Sequence, residues 1–115
     1  MRMVVVTLRP LFRDIVAALL QDGAPVTIVA EFPKRPPVAR LALLSPDILV
    51  VGLRNGERNR VGGSYAAKLP STIVLAISSD GRDAYVHKMR ARPIILRGVS
   101  ADTLADALAD SKREN

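Results

Sequence analysis

Residues 46–56 read PDILVVGLRNG, and this stretch decides the fold because it joins an apolar run to an abrupt turn. The run 47–53 is rich in β-branched residues and apolar on both faces, which is typical of a strand covered on both sides in a parallel sheet. Gly52 stands at the end of this run, where α/β sheets gather their functional groups. The stretch therefore predicts a buried strand, and it raises the question of which side chain Gly52 replaces.

Four further apolar runs have the same character, at residues 3–8, 26–32, 71–78 and 93–98, so the sequence predicts five strands. Amphipathic stretches separate the runs, which is the alternation typical of β/α folds. With right-handed crossovers, five alternating strands form a doubly wound, flavodoxin-like parallel sheet of order 2-1-3-4-5. We therefore expect a single (βα)₅ domain over residues 1–115.

Helices are expected between and after these strands. The first covers residues 11–23, and the second starts at about Val38 because the preceding proline pair cannot continue a helix. The third is weakened by the glycine pair at 62–63. The fourth is predicted at residues 82–91, RDAYVHKMRA, and the fifth begins with Ser100 as its N-cap.

The composition excludes several kinds of site. The 115 residues include no cysteine and a single histidine, His87, which excludes a disulfide framework and leaves too few ligands for a zinc or haem centre. We therefore predict no metal and no cofactor. The first apolar run meets Arg9 and Pro10 well before the ~20 residues that a membrane span needs. We expect a cytoplasmic protein that does not enter the membrane.

The net charge of +6 is weak evidence for a nucleic-acid partner. Basic residues are scattered along the chain, and aromatic residues make up only 3%, too few for a base-stacking surface. Direct nucleic-acid binding is therefore not expected, and binding through net charge alone is the weaker alternative. His87 is predicted in mid-helix rather than as a general base, so we do not expect an enzyme.

Several motifs resemble the receiver domains of bacterial response regulators, which are CheY-like, and most closely those of the LuxR/NarL type. The opening TLRPLFRDIVAALL (7–20) and the stretch SPDILVVGLR (45–54) carry the most specific similarity. LPSTIVLAIS (69–78) and PIILRGVSADTLADAL (93–108) resemble the fourth strand and the fifth strand with its helix. The similarity spans essentially the whole chain but is loose at residues 56–68 and at Arg92-Pro93.

The resemblance implies a phosphorylation site that has lost its chemistry. The phosphoacceptor aspartate of the family falls on Gly52, and the acidic pair that holds Mg²⁺ falls on Thr7 and Leu8. The phosphate-binding lysine falls on Arg97, and only Ser78 keeps the hydroxyl of the family. Neither Gly52 nor this pair supplies the carboxylates that phosphoryl transfer to an aspartate needs. Gly52 is therefore interpreted as the acceptor position of a receiver that cannot be phosphorylated there.

The function implied is that of a pseudo-receiver, a signalling module that acts by protein contact without phosphorylation. Such a module would form a homodimer or dock a partner in two-component or transcriptional regulation, and a DNA-binding output domain is one candidate. The alternative fold interpretation is another small (βα)₅ module, because a flavodoxin-like sheet hosts many functions.

The predicted strand-end edge is also basic, which indicates a second class of function. An anion such as phosphate or a nucleotide would suit guanidinium groups there. Alternatively, these groups extend into water or pair with Glu57 and Asp80. The candidate anion-binding residues are Arg9, Arg54, Ser78 and Arg97.

A charge asymmetry between the last two predicted helices indicates a candidate dimer interface. The fourth carries basic residues, whereas the fifth carries carboxylates at successive i, i+4 positions. In a two-fold dimer the basic helix of one subunit would face the acidic helix of the other. The alternative is a solvated acidic face. The candidate interface residues are Lys88, Arg90, Arg92, Asp102, Asp106 and Asp110.

Overall fold

The computed structural model describes residues 1–7, 9, 12, 16, 26–54, 57, 60–88 and 94–97. These residues form an α/β structure, which confirms the predicted class. Its elements, in chain order, are β1 (Arg2–Val6), β2 (Thr27–Phe32), α1 (Val38–Leu44), β3 (Ile48–Gly52), α2 (Arg60–Lys68), β4 (Ile73–Ile77), β5 (Asp83–His87) and β6 (Ile94–Arg97).

The strands form one mixed sheet of six strands in the order β2-β1-β3-β4-β5-β6. β2, β1, β3 and β4 are mutually parallel, as predicted, and their order matches the first four positions of the predicted sheet. β5 runs antiparallel to β4, and β6 runs antiparallel to β5. The prediction of a five-stranded, all-parallel sheet is therefore wrong at this end of the sheet.

The segment 83–87 was expected to be part of a helix and is instead the strand β5. Its side chains alternate in burial, with Ala84 and Val86 buried, as a strand requires. A tight turn leads into it, in which the Gly81 N–H donates to the Ser78 carbonyl at 2.9 Å. Gly81 has a φ of 75°, which glycine adopts without steric cost. The predicted fifth strand is consequently the sixth, β6, and β5 lies between it and β4.

The core lies on both faces of the sheet because the central strands bury alternate residues on opposite sides. One face is covered by the two described helices, with Leu41 of α1 and Tyr65 of α2 packed against the strands. On the other face, Val16 packs against the strands from helical backbone. The central strands β3 and β4 are buried along their whole length.

Two local features of the helices follow from the sequence. α1 starts at Val38, directly after the proline pair, as predicted. The Arg2 guanidinium donates to the Leu44 carbonyl at 3.0 and 2.8 Å, which satisfies a carbonyl at the end of α1. α2 forms over Arg60–Lys68 despite its glycine pair.

Two predicted helices fall largely or wholly outside the described residues. Of the first, residues 11–23, the structure describes Phe12 and Val16, both in helical backbone. The fifth, from Ser100 onward, lies outside the described residues. Within the described ranges, no helix is long and apolar enough to cross a membrane.

Candidate functional site

The carboxyl ends of β1, β3 and β4 meet at one edge of the sheet, and an open cleft of about 530 Å³ lies there. Parallel neighbours place their following loops side by side, so residues distant in sequence converge at this edge. We call this feature the strand-end cleft. Its described lining consists of Thr7, Arg9, Phe12, Gly52, Leu53, Arg54, Ser78, Ser79 and Asp80.

Thr7 connects β1 to both of its neighbours. Its backbone N–H donates to the Phe32 carbonyl at 2.8 Å, and its hydroxyl donates to the Gly52 carbonyl at 2.7 Å. Thr7 also has a φ of 52°, in the left-handed region that β-branched residues rarely adopt. The ends of β1 and β3 are thus held together by a side chain in a strained backbone conformation.

Gly52 is the last residue of β3 and is buried opposite Ile77 of β4. The ladder continues for one more residue, because the Leu53 N–H donates to the Ile77 carbonyl at 2.8 Å. Arg54 follows and is exposed. At the position where the family resemblance expects an acceptor aspartate, the strand therefore presents backbone only.

The hydroxyl of Ser78 is engaged in the turn between β4 and β5. It donates to Asp80 Oδ1 at 2.7 Å and accepts the Asp83 N–H at 3.0 Å. Asp80 also accepts the Arg82 N–H at 2.9 Å. These two hydrogen bonds, the one from Ser78 first, lower the pKa of the Asp80 carboxyl. Ser78 therefore has a structural role in the turn.

Glu57 pairs with an arginine that the sequence did not single out. Arg35 donates to both carboxylate oxygens of Glu57, one of them at 2.7 Å. The Arg54 backbone N–H donates to the same carboxylate at 2.6 Å. The hydrogen bonds from Arg35 are the main reason that the pKa of Glu57 falls to about 2. The loops after β2 and β3 are thereby joined beside the strand-end cleft.

The structure brings most of the predicted site residues together. Thr7, Arg9, Gly52, Arg54 and Ser78 all line the strand-end cleft. Leu8 lies outside the described residues. Arg97 is the last residue of β6, and its side chain also lies outside the described part of the chain. Its backbone lies at the same edge of the sheet, opposite Asp83. Because β5 intervenes, its backbone is one strand spacing, about 4.8 Å, farther from β4 than predicted.

Sequence reasoning did not propose Phe12 as a lining residue of the cleft, and it considered Asp80 only as a possible partner of the edge arginines. Phe12 follows shortly after β1 in the sequence. Residues that directly follow a strand of a parallel sheet lie at its carboxyl edge, so this position could have indicated Phe12 as a lining residue. Asp80 lies in the turn between β4 and β5, and the same turn borders the cleft. The SSDG motif between two β-rich runs is itself a hairpin signal.

The predicted dimer interface loses part of its basis. Lys88 was placed on a basic helix, and this is wrong because β5 ends at His87, immediately before it. The other candidate interface residues lie outside the described residues. They are Arg90, Arg92, Asp102, Asp106 and Asp110.

His87 is buried in the interface between β5 and α2 and takes no part in the strand-end cleft. Burial lowers the pKa of its imidazole, and within the described part of the chain its Nε2 has no hydrogen-bond partner. It is the only histidine of the sequence, so the cleft contains hydroxyl groups but no imidazole to activate them.

Among the residues that the structure describes, no three histidine, aspartate or glutamate side chains are grouped so that they could hold a metal ion.

The chain was compared with protein-family models, with curated proteins and with solved structures, and none of them matches it.

Proposed function

We propose that the chain is a pseudo-receiver, a CheY-like signalling module that acts by protein contact and is not phosphorylated. The observation that carries the proposal is the hydrogen bond from the Thr7 hydroxyl to the Gly52 carbonyl. These two residues occupy positions that, by the family resemblance, would hold a metal-binding carboxylate and the phosphoacceptor.

Phosphoryl transfer to a receiver needs a nucleophilic carboxylate and further carboxylates around Mg²⁺. Gly52 provides no side chain, and the Thr7 hydroxyl is a neutral donor to the backbone beside it. Among the described cleft residues, Asp80 is the one carboxylate, and its Oδ1 accepts two hydrogen bonds within the turn. The described part of the cleft therefore favours a fixed scaffold over a phosphorylation site.

The order β2-β1-β3-β4 of the parallel strands supports a flavodoxin-like sheet as the basis of this module. The β4–β5 hairpin stands where a receiver has a helix, so the surface on that side differs from the family pattern. On this proposal the chain docks a protein partner or a second copy of itself in the cytoplasm, in two-component or transcriptional regulation. It is neither an enzyme nor a direct nucleic-acid binder.

The test is exposure to a small phosphodonor. With acetyl phosphate and Mg²⁺, intact-mass spectrometry is expected to show an unmodified chain, and light scattering is expected to show an unchanged association state. Gly52→Asp should also stay unmodified, because the metal-binding carboxylates would still be missing. Adding Thr7→Asp and Leu8→Asp to that variant should restore phosphorylation in chains that circular dichroism shows to be folded.

A stable phosphoryl adduct on the wild-type chain would contradict the proposal. So would an adduct on the single Gly52→Asp variant at the level of the triple variant, because it would show that the carboxylate pair is not needed.

A further inference from the structure

The strand-end cleft presents two guanidinium groups, and the side-chain partners of the carboxylates near them are other residues. Arg9 and Arg54 both line the cleft and are exposed. Glu57 lies close enough to Arg54 to accept its backbone N–H and to interact electrostatically with it, but its side-chain partner is the Arg35 guanidinium, which donates to both carboxylate oxygens. Asp80 accepts its hydrogen bonds from Ser78 and from a backbone N–H. Among the described residues, the two cleft arginines are therefore available to a ligand from solution.

One wall of the same cleft is apolar. Phe12 and Leu53 line it, and Leu53 is buried among the strand ends. The Phe12 ring lies directly on Gly81, since a Cβ built on that glycine would be 2.6 Å from the ring. The tight turn thus holds an aromatic side chain that lines the same cleft as the two arginines, and a flat apolar group could pack against this ring.

The volume of the cleft and one strained residue in its lining are features that ligand sites share. Its volume of about 530 Å³ falls within the range of roughly 300–1,000 Å³ that is usual for small-molecule sites. Thr7, with its φ of 52°, forms part of the lining, and strained backbone of this kind clusters at ligand-binding positions.

We propose that the strand-end cleft binds a small organic phosphate, a phosphate ester of a planar apolar group. The phosphate lies between Arg9 and Arg54, because guanidinium groups donate paired hydrogen bonds to phosphate oxygens. The planar group packs against Phe12 and Leu53. Binding is non-covalent, so this site adds a ligand to the pseudo-receiver, and its test is independent of the test for phosphoryl transfer.

Phenyl phosphate is a suitable probe, because inorganic phosphate and phenol represent its two parts. Calorimetric titration at low salt is expected to show saturable binding of phenyl phosphate, about tenfold tighter than that of inorganic phosphate, since the ring removes apolar area from water. Phenol alone should bind too weakly to measure. In NMR spectra, the amide chemical shifts of Thr7 and Leu53 should change on binding, whereas those of the rest of the chain should not.

Variants separate a site from a general charge effect. Arg9→Gln and Arg54→Gln should each weaken phenyl phosphate binding about fivefold or more, because each removes a charge-assisted donor. Arg60→Gln is the matched control: it removes the same charge from an exposed residue at the start of α2 that does not line the cleft. This control should bind as the wild type does.

Two further variants test the remaining contacts. Phe12→Leu should weaken phenyl phosphate binding while leaving inorganic phosphate unchanged. Asp80→Asn should strengthen binding severalfold, because it removes a negative charge from the lining while keeping an oxygen that accepts from Ser78 and Arg82. Melting temperatures establish that each variant is folded.

Two results would overturn the proposal. The first is the absence of saturable binding of phenyl phosphate to the wild-type chain up to millimolar concentrations. The second is an equal loss of affinity in Arg60→Gln and Arg9→Gln, which would show that net charge alone attracts the anion.

Discussion

Thr7 carries two features that oppose each other energetically. Its left-handed backbone, with a φ of 52°, costs of the order of 1–3 kcal/mol for a residue other than glycine. Its N–H and its hydroxyl each make a short hydrogen bond, to Phe32 and to Gly52. Such strain persists only where the surroundings determine the conformation. The hydrogen bond to Gly52 is therefore expected to contribute measurably to stability.

Thr7→Val tests that contribution, because valine keeps the β-branch and the strain but removes the hydroxyl donor. We expect the free energy of unfolding to fall by about 1 kcal/mol. Thr7→Ser is the matched control, since it retains the hydroxyl, and it should unfold close to the wild-type urea midpoint. If Thr7→Val were as stable as the wild type, the hydrogen bond would not hold the strand ends together.

α2 and β5 fit together through one close contact between a glycine and an imidazole. A Cβ built on Gly62 would lie 2.4 and 2.6 Å from ring atoms of His87, so the helix can approach the strand only with glycine there. At Gly63 the nearest atoms of the same ring are at 3.8 and 3.9 Å, which is ordinary contact distance. Packing therefore explains the first glycine of the pair, Gly62, although the pair weakens the helical pattern.

This contact predicts opposite effects for two adjacent substitutions. Gly63→Ala should stabilise the protein by up to about 1 kcal/mol, because alanine favours helix and the space accepts its methyl group. Gly62→Ala gains the same helix propensity but forces the buried His87 ring to move, and overpacking of this kind typically costs about 1–3 kcal/mol.

The measurement is thermal or urea unfolding of both variants. A Gly62→Ala protein that is more stable than the wild type would show that the imidazole moves at little cost. In that case Gly62 would not be required for the packing of α2 on β5.

The stability of the whole molecule should depend on pH in two separate ranges. Burial lowers the pKa of His87 below its ordinary value of 6.5, so the unfolded chain takes up a proton more readily than the folded one. The Arg35 contacts lower the pKa of Glu57 from 4.5 to about 2, so that carboxyl also protonates first in the unfolded chain. Both groups therefore favour unfolding as the pH falls, His87 from about pH 6.5 downward and Glu57 from about pH 4.5 downward.

Because the sequence contains a single histidine, the upper range can be assigned to one residue. The free energy of unfolding of the wild type should fall between pH 6.5 and 5, by at most about 1.4 kcal/mol for each pH unit. His87→Gln should be flat across this range, and Glu57→Gln should keep the slope there but lose part of the further decrease below pH 4.5. A wild type whose stability does not change between pH 7.5 and 5 would contradict the burial of a neutral imidazole.

Much of the fold and the position of the cleft could be predicted from local patterns. All five predicted strand regions form strands, and α1 starts at the expected Val38. The convergence of Thr7, Gly52 and Ser78 at one sheet edge follows from parallel strand order. The hydrogen-bond partners of these side chains could not be predicted. A hydroxyl can donate to a ligand or to a nearby backbone carbonyl, and the sequence is the same in both cases.

Apolar runs and proline positions identify strands and a helix start in this chain because these signals act within a few residues. The path of residues 83–87 depends on distant partners: β5 pairs with β4 and with β6, and its His87 ring requires Gly62 on α2. Likewise, the pairing of Arg35 with Glu57 joins two loops that are brought together by the sheet. A short segment with mixed propensity adopts the structure that its long-range contacts stabilise, and those contacts exist only once the sheet has formed.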